Sequence, residues 1–159
     1  MTARLQHELK KKRPFASSAE EAMLNLMRGA DLAQIRFTRL FRDFGITPSQ
    51  YNVLRILRGE GRPLPILEIA SRTVTVVPGI TGLVDRLEQA GLVQRHRCDQ
   101  DRRVIYVSLT ETAVKKLAEL DQPVTALNEA LLERLTAAEI KELIRLLEKM
   151  RPPAAAPEP

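Results

Sequence analysis

The sequence predicts a mainly α-helical protein that carries one small β-hairpin. Apolar residues recur at spacings of three and four over most of the 159 residues, and the period changes to two only after Gly91. Capping residues, prolines and glycines divide the helical part into six segments. The length predicts one compact folding unit, at about 150 residues per domain.

Capping patterns mark the first two helices. Residues 1–16 are basic without an apolar period, which predicts a flexible arm or a fraying helix. Ser18 and Glu21 form a capping box, so a long helix is expected to begin there and to end at Gly45. The run Thr47-Pro48-Ser49-Gln50 repeats the box and opens a second helix, which glycines at 59 and 61 close.

Two shorter helices follow. Pro63-Leu64-Pro65 predicts the start of the third helix, and Pro78 predicts the start of a fourth that ends at Gly91. The run from Thr73 to Val77 resembles a strand in composition. It is too short for an internal strand and is interpreted as the end of the third helix and a turn.

The last third of the chain begins with the hairpin. Residues 92–97 and 104–109 alternate as strands do, and the polar residues between them suit a hairpin connection. Thr110 can cap the next helix, which is expected to break or kink around Pro123. Another capping box, at residues 136–139, opens the final helix, and residues 152–159 are predicted to be a disordered tail.

Composition narrows the class of protein further. The net charge is +5 and the isoelectric point is near 9.7, with the positive excess in the first two thirds of the chain. Such a balance suits a polyanionic partner such as nucleic acid, although a mildly basic protein without such a partner fits the charge equally well. A single cysteine, Cys98, excludes an internal disulfide and favours the cytoplasm. No apolar run suggests a signal peptide or a membrane span.

The same sequence gives little reason to expect an enzyme. His7 and His96 are far apart and have no cysteine or carboxylate cluster at ligand spacing, which argues against metal binding and histidine catalysis. There is no glycine loop that could cradle a phosphate and no nucleophile elbow. Catalytic residues, a metal and a cofactor are therefore not expected.

Short helices followed by a hairpin are the layout of a winged helix-turn-helix, which we assign to residues 46–109. The flanking segments, 17–45 and 110–151, carry apolar stripes that so small a unit could not cover, so pairing with a second copy is expected. Five motifs in this order resemble the MarR (multiple antibiotic resistance regulator) family of bacterial transcription factors. They are ITPSQYNVL at 46–54, EIASR at 68–72, ITGLVDRLE at 80–88, GLV at 91–93 with Arg95, and DRR at 101–103 before Leu109-Thr110.

The resemblance implies a homodimeric regulator, usually a repressor, that binds a pseudo-palindromic site in double-stranded DNA. It also implies that a small aromatic or phenolic ligand, or an oxidant, releases the DNA. Two alternatives stay open: a redox-responsive regulator acting through Cys98, and a winged-helix interaction protein that does not bind DNA, for which Gly79 and Gly82 are the only hints.

The segment 78–89 is the expected recognition helix. Thr81 can contact a base or a phosphate, and Arg86 can bind a phosphate or a guanine or else pair with nearby acids. Similar proteins commonly carry a long basic or polar residue where this chain has Gly82, which lowers the expected share of direct base readout. The predicted DNA-contacting residues of this helix are Pro78, Gly79, Thr81, Gly82 and Arg86.

The wing is expected to supply the other contacts with DNA. A narrow minor groove attracts an inserted arginine, and the resemblance gives that role to Arg103, with Asp101 holding its guanidinium. A solvated charged turn without a partner is the alternative. The predicted contacting residues of the wing are Arg95, Arg97, Asp101, Arg102 and Arg103.

A ligand pocket could lie between the long helices and the winged helix. Phe37, Phe41 and Tyr51 would give apolar walls, and Arg55 would give a cation for an aromatic acid. The simpler interpretation is that these aromatic side chains fill the core.

Overall fold

The computed structural model of the protein describes residues 4–75, 77–97, 101 and 103–152. The predictions for Cys98, for Arg102 and for most of the tail lie outside these residues. The chain, for which the length predicted one folding unit, divides into two compact units, one up to Val124 and one from Thr125. Among the residues described, no helix is long and apolar enough to cross a membrane.

The described residues form seven helices and three strands in a mainly helical order, which confirms the predicted fold class. The elements are α1 (Arg4–Glu8), α2 (Ser18–Asp43), α3 (Pro48–Glu60), β1 (Leu64–Pro65), α4 (Ile66–Ser71), α5 (Ile80–Gln89), β2 (Val93–Arg97), β3 (Ile105–Leu109), α6 (Glu111–Leu132) and α7 (Ala137–Met150).

The N-terminal segment, predicted to be a flexible arm or a fraying helix, contains a short helix. Residues 4–8 form the short helix α1, in which Leu5 is only 4% exposed. The cap of α2 is one residue earlier than expected: the hydroxyl of Ser17, not that of Ser18, accepts the N–H of Glu20 at 3.1 Å. Adjacent serines and adjacent glutamates allow either register, and in the observed one Glu20 also accepts the N–H of Ala16 and pairs with Lys11.

The caps of α3 and α7 are confirmed. Thr47 and Gln50 satisfy each other's backbone N–H groups at the start of α3, and Thr136 and Glu139 do the same for α7. Gly61 ends α3 with φ of 69°, a left-handed conformation that favours glycine.

Strand β1 was missed by the sequence analysis. Leu64 and Pro65, predicted to start a helix, pair with Val107 and Tyr106 of β3, and α4 begins one residue later. The sheet therefore has three antiparallel strands in the order β1-β3-β2. The hairpin itself is confirmed, with Val93 opposite Leu109 and Arg97 opposite Ile105. The turn predicted at 73–77 is also correct for the residues described there, which form no strand.

Helix α5 begins later than Pro78, which was the predicted start. Gly79 takes the N-cap position with φ of 68° and ψ of 46°, so the chain turns sharply before the first helical residue, Ile80. A proline starts a helix only when its successor can take helical dihedrals, and Gly79 does not.

The first unit has one hydrophobic core. Val53, Leu54, Val84 and Leu87 are fully buried there. Leu64 from β1 and Val107 from β3 reach the same core, which explains why a two-residue strand is retained. Ala113, Leu117 and Leu120 on the first part of α6 complete it. Helix α5 and the hairpin are thus both anchored to the same hydrophobic core.

A break or a kink was predicted around Pro123, and helix α6 runs through this residue without a break. Because proline has no N–H, it cannot donate to the carbonyl of Glu119, and the boundary between the two units follows one residue later. In the second unit, α7 has no buried residue. Its Ile144 and Met150 are each more than half exposed.

Candidate nucleic-acid interface

Helix α5 has two faces with different tasks. Leu83, Val84 and Leu87 are buried on one side and anchor the helix to the core. Thr81 and Arg86 are exposed on the other side. The N-terminus of the helix has no side-chain cap, because Gly79 occupies the N-cap position. The exposed face and the open N-terminus are thus presented together on a rigid base.

Arg95 ties the wing to α5. Its guanidinium pairs with the carboxylate of Asp85, and its Nε lies 3.4 Å from Oε2 of Glu88. The other carboxylate oxygen of Glu88 accepts the backbone N–H of Arg95 at 3.3 Å. The Arg95 side chain is only 18% exposed. Its buried Nε has no hydrogen bond, so Glu88 holds this atom by charge, whereas Nη2 of the same guanidinium donates a hydrogen bond to Asp85.

Sequence reasoning predicted Arg95 as a DNA contact and did not foresee this pairing. The signal was present in the strand pattern. Arg95 lies two residues after the buried Val93, hence on the inward face of β2. A charged residue on an inward face needs a carboxylate, and Asp85 and Glu88 are the acids of the preceding helix.

Gly82 and Arg86 form a pair on the exposed face of α5. A methyl group placed on Gly82 would lie 3.9 Å from Nη1 of Arg86 and within 4 Å of no other atom outside the local backbone. The side chain of Arg86 makes no hydrogen bond or ion pair with the residues that the structure describes. The guanidinium is therefore free and lies over the glycine.

Two of the predicted basic residues of the wing lie in solvent. Arg97 and Arg103 are exposed, and neither guanidinium has a partner among the described residues. Asp101 accepts the backbone N–H of Arg103 at 2.9 Å, so its carboxylate fixes the turn at the main chain rather than at the guanidinium. On the strands, the rings of His96 and Tyr106 stack with centroids 6.0 Å apart.

A network of four charges joins α3 to α4. Glu60 accepts from Arg72 at 2.5 Å and pairs with Arg62 at 2.6 Å, while Arg72 also pairs with Glu68. The hydrogen bond from Arg72 holds the pKa of Glu60 below its ordinary value, and the same bond raises the pKa of Arg72. This network could not be predicted from the sequence, because the spacing of these residues does not show that the ends of α3 and α4 meet.

A second pair joins α3 to α6. Arg58 donates to both carboxylate oxygens of Asp121, at 2.6 and 3.0 Å, and this bond raises the pKa of Arg58. A fork-to-fork pair of this kind fixes orientation as well as distance. Ion pairs thus link α3 both to α4 and to α6.

The aromatic residues predicted for a pocket pack on one another. The rings of Phe41 and Tyr51 stack at 4.3 Å, and Phe37 stacks on Phe41 at 5.9 Å. Phe41 is 3% exposed, and Arg55 donates to the side chain of Asn52 at 2.7 Å. This arrangement favours core filling over an open pocket.

The part of the chain that the structure describes holds no group of three or more histidine, cysteine, aspartate or glutamate side chains suited to a metal ion.

These features define a winged-helix DNA-binding protein: a helix with an exposed polar face, a basic hairpin beside it, and a core that holds both. The sequence pattern of the MarR family matches residues 46–105. A repressor of Bacillus subtilis, MdtR, is 34% identical over 72% of this chain and 73% of its own length. The crystal structure of a MarR transcription factor from Planctomyces limnophilus is 40% identical, covers 85% of this chain and 98% of that one, and has a TM-score of 0.67.

The chain therefore belongs to the MarR family of transcriptional regulators. These relatives are transcription regulators rather than enzymes. The fold is also shared with BpsR of Bordetella bronchiseptica, at 23% identity over 87% of this chain and 97% of that one, with a TM-score of 0.76. BpsR is a protein whose DNA binding is regulated by 6-hydroxynicotinic acid.

Proposed function

We propose that this protein is a homodimeric repressor that acts in the bacterial cytoplasm and binds a pseudo-palindromic DNA site. In the proposed complex, α5 of each copy enters the major groove and each wing reaches the adjacent minor groove. Two-fold symmetry then places the recognition helices about one helical turn of DNA apart.

The observation that carries this proposal is the state of the arginines in the described part of residues 46–109. Four of these eight arginines are paired with carboxylates, namely Arg58, Arg62, Arg72 and Arg95, and Arg55 is bonded to an amide. Three have no partner among the described residues: Arg86 on α5, and Arg97 and Arg103 on the wing. These are residues that the sequence predicted to contact DNA. Phosphates and base edges are the acceptors that free guanidinium groups suit best.

The dimer is proposed from exposed apolar side chains. On α2, Met23, Met27, Leu32 and Ile35 are each 41–62% exposed. In the second unit, α7 exposes apolar residues over its whole length and buries none. Exposed apolar side chains of this kind are costly in water, and a second copy would cover them.

The ligand proposal is supported by a relative and limited by the aromatic cluster. The regulation of BpsR by an aromatic hydroxy acid supports a small aromatic effector here. Because Phe41 stacks on Tyr51, the predicted pocket would have to open before a ligand could enter. We therefore propose the class of ligand and expect its binding to separate these rings.

Footprinting on the DNA upstream of the gene, followed by a salt titration, tests the DNA proposal. A dimer that contacts several phosphates should lose affinity with a slope of about −0.9 per contact on logarithmic axes. Protection of two half-sites with a steep slope would support the proposal. A flat salt dependence, or no protected site, would favour an interaction protein that does not bind DNA.

Repeating the footprint with aromatic acids, phenols and peroxide tests the effector. Release by an aromatic acid supports the proposed ligand class. Release by peroxide that disappears in Cys98→Ser would instead support the redox alternative.

A further inference from the structure

The surface of α5 beside Gly82 is largely open. A methyl group there would meet only Nη1 of Arg86, at 3.9 Å, which is an ordinary van der Waals distance. A side chain longer than a methyl group could reach the space that the guanidinium occupies. The missing side chain of Gly82 thus leaves an opening on the helix surface, and the guanidinium of Arg86 lies beside it.

The geometry of a helix explains why that side chain is Arg86. Residues four apart lie on the same face, and helical side chains lean toward the N-terminus. Arg86 therefore carries its guanidinium about one turn, roughly 5 Å, toward the start of α5.

No carboxylate of α5 pairs with Arg86. The two carboxylates beside it in sequence, Asp85 and Glu88, are both engaged by Arg95. Within the described residues the guanidinium of Arg86 has no hydrogen bond or ion pair. Its charge is thus available to a ligand outside the chain.

We infer that Arg86 reads a guanine through the opening left by Gly82, and that Gly82 is a specificity-determining residue because a larger side chain would displace the guanidinium. This inference rests on the proposed insertion of α5 into the major groove. The N-terminal residues of a recognition helix contact base edges, and Gly82 brings Arg86 to that part of the helix. Arginine bonded to O6 and N7 of guanine is the commonest specific contact in the major groove.

The test begins with the wild-type dimer and a pool of randomised double-stranded DNA, from which the preferred site is selected. Dissociation constants are then measured for that site and for versions with each G·C pair replaced. The variants are Arg86→Ala, Gly82→Leu, Gly82→Ala and the double variant with leucine and alanine. Gly59→Leu is the matched control, since Gly59 is also helical and has open space around it.

We expect Arg86→Ala and Gly82→Leu each to lose about tenfold or more of the discrimination at the same G·C pair of each half-site. The double variant should lose no more than either single variant, because both changes remove one contact. Gly82→Ala should keep the preference, and so should Gly59→Leu. Circular dichroism on each variant verifies that the helices are intact.

Three results would overturn the inference. If Arg86→Ala weakens all sequences equally and lowers the salt slope by about one, Arg86 binds a phosphate instead. If Gly82→Leu leaves the preference unchanged, Gly82 does not determine specificity. If the wild-type dimer selects no sequence, the proposed DNA-binding function fails as well, and this is evident before any variant is made.

Discussion

Helices α5 and α7 have the same kind of sequence and different surroundings. Both carry apolar residues at spacings of three and four. In α5 this stripe is buried, with Val84 and Leu87 fully enclosed, whereas in α7 Ile144 is 51% and Leu146 48% exposed. An apolar stripe therefore shows that a face needs covering but does not show what covers it. For α5 the cover comes from its own chain, and for α7 we propose a second copy.

Loss of a buried side chain of α5 should have the largest effect, which is on the free energy of unfolding. Leu87→Ala should lower the free energy of unfolding by about 2–5 kcal/mol, because it leaves a cavity at a fully buried position. Urea unfolding, at a concentration low enough to keep the chain monomeric, measures this loss. Leu146→Ala in α7 is the control and should cost within about 0.5 kcal/mol. Equal losses would show that α7 is covered within one chain.

A charge on α7 tests the other half of the contrast. Ile144→Glu should weaken the proposed dimer at least about tenfold, since an unpaired carboxylate would be buried between the copies. Sedimentation equilibrium measures the change. Leu67→Glu is the control, because Leu67 is 81% exposed but lies on α4. A dimer that tolerates Glu at position 144 would exclude this face of α7 from the interface.

The polar side of the α5 region can be tested at the wing. Arg103→Ala should weaken DNA binding by roughly 1–3 kcal/mol and lower the salt slope by about one, while the dimer stays intact. A fluorescence anisotropy titration at several salt concentrations gives both values. Arg134→Ala, on an exposed residue of the second unit, serves as a charge-matched control. An unchanged affinity for Arg103→Ala would remove the wing from the interface.

A substitution of Arg95 should have a smaller effect on DNA binding than one of Arg103, and the effect should be of a different kind. Arg95→Met should lower affinity by several-fold with little change in the salt slope, because Arg95 positions α5 and the wing through Asp85. Its effect should be non-additive with that of Asp85→Asn, since the two changes break one ion pair. A slope that falls by about one, with additive effects, would show that Arg95 contacts a phosphate directly.

The smallest expected effect concerns acid. An arginine lowers the pKa of Glu60 between α3 and α4, and an arginine likewise lowers the pKa of Glu142 inside α7. A lowered folded pKa contributes stability above the ordinary glutamate pKa of about 4.3, and this contribution is lost as the pH falls through the lowered value. Wild type should therefore melt slightly above Glu60→Gln at neutral pH.

The two melting temperatures should converge on acidification. Glu142→Gln is the comparison, because its arginine partner, Arg145, lies three residues away on the same helix. The difference in melting temperature between wild type and Glu142→Gln should be smaller than the difference between wild type and Glu60→Gln, because Glu60→Gln loses a link between two helices. A gap for Glu60→Gln that stays constant down to acidic pH would contradict the role of the ion pair.

Much of the fold could be predicted because its signals are local. The capping box at Thr47 and the change of period after Gly91 are each contained in a few residues, and both are confirmed. Strand β1 was missed because a two-residue strand has no period, and only its pairing with β3 makes it a strand. The cap of α2 was placed one residue late because two adjacent serines allow both registers.

The site was predicted as a set of residue types rather than as a set of contacts. From the sequence, Arg86, Arg95 and Arg103 were all predicted to contact DNA, and their spacing does not tell a paired guanidinium from an unpaired one. The structure separates them: Arg95 is held by two carboxylates, while the other two guanidinium groups are free of partners within the described residues. Such pairing depends on which side chains the core brings together, and sequence spacing alone does not specify it.

Strand β1 also affects how the protein behaves in concentrated solution. An uncovered strand edge offers N–H and C=O groups on which other chains can assemble. Here β1 covers one edge of β3, and Pro63 and Pro65 leave few N–H donors for a further strand. On the opposite side of the sheet, β2 presents the cationic Arg97. Along β1, the sheet that supports the wing is thus poorly suited to pair with a strand of another chain.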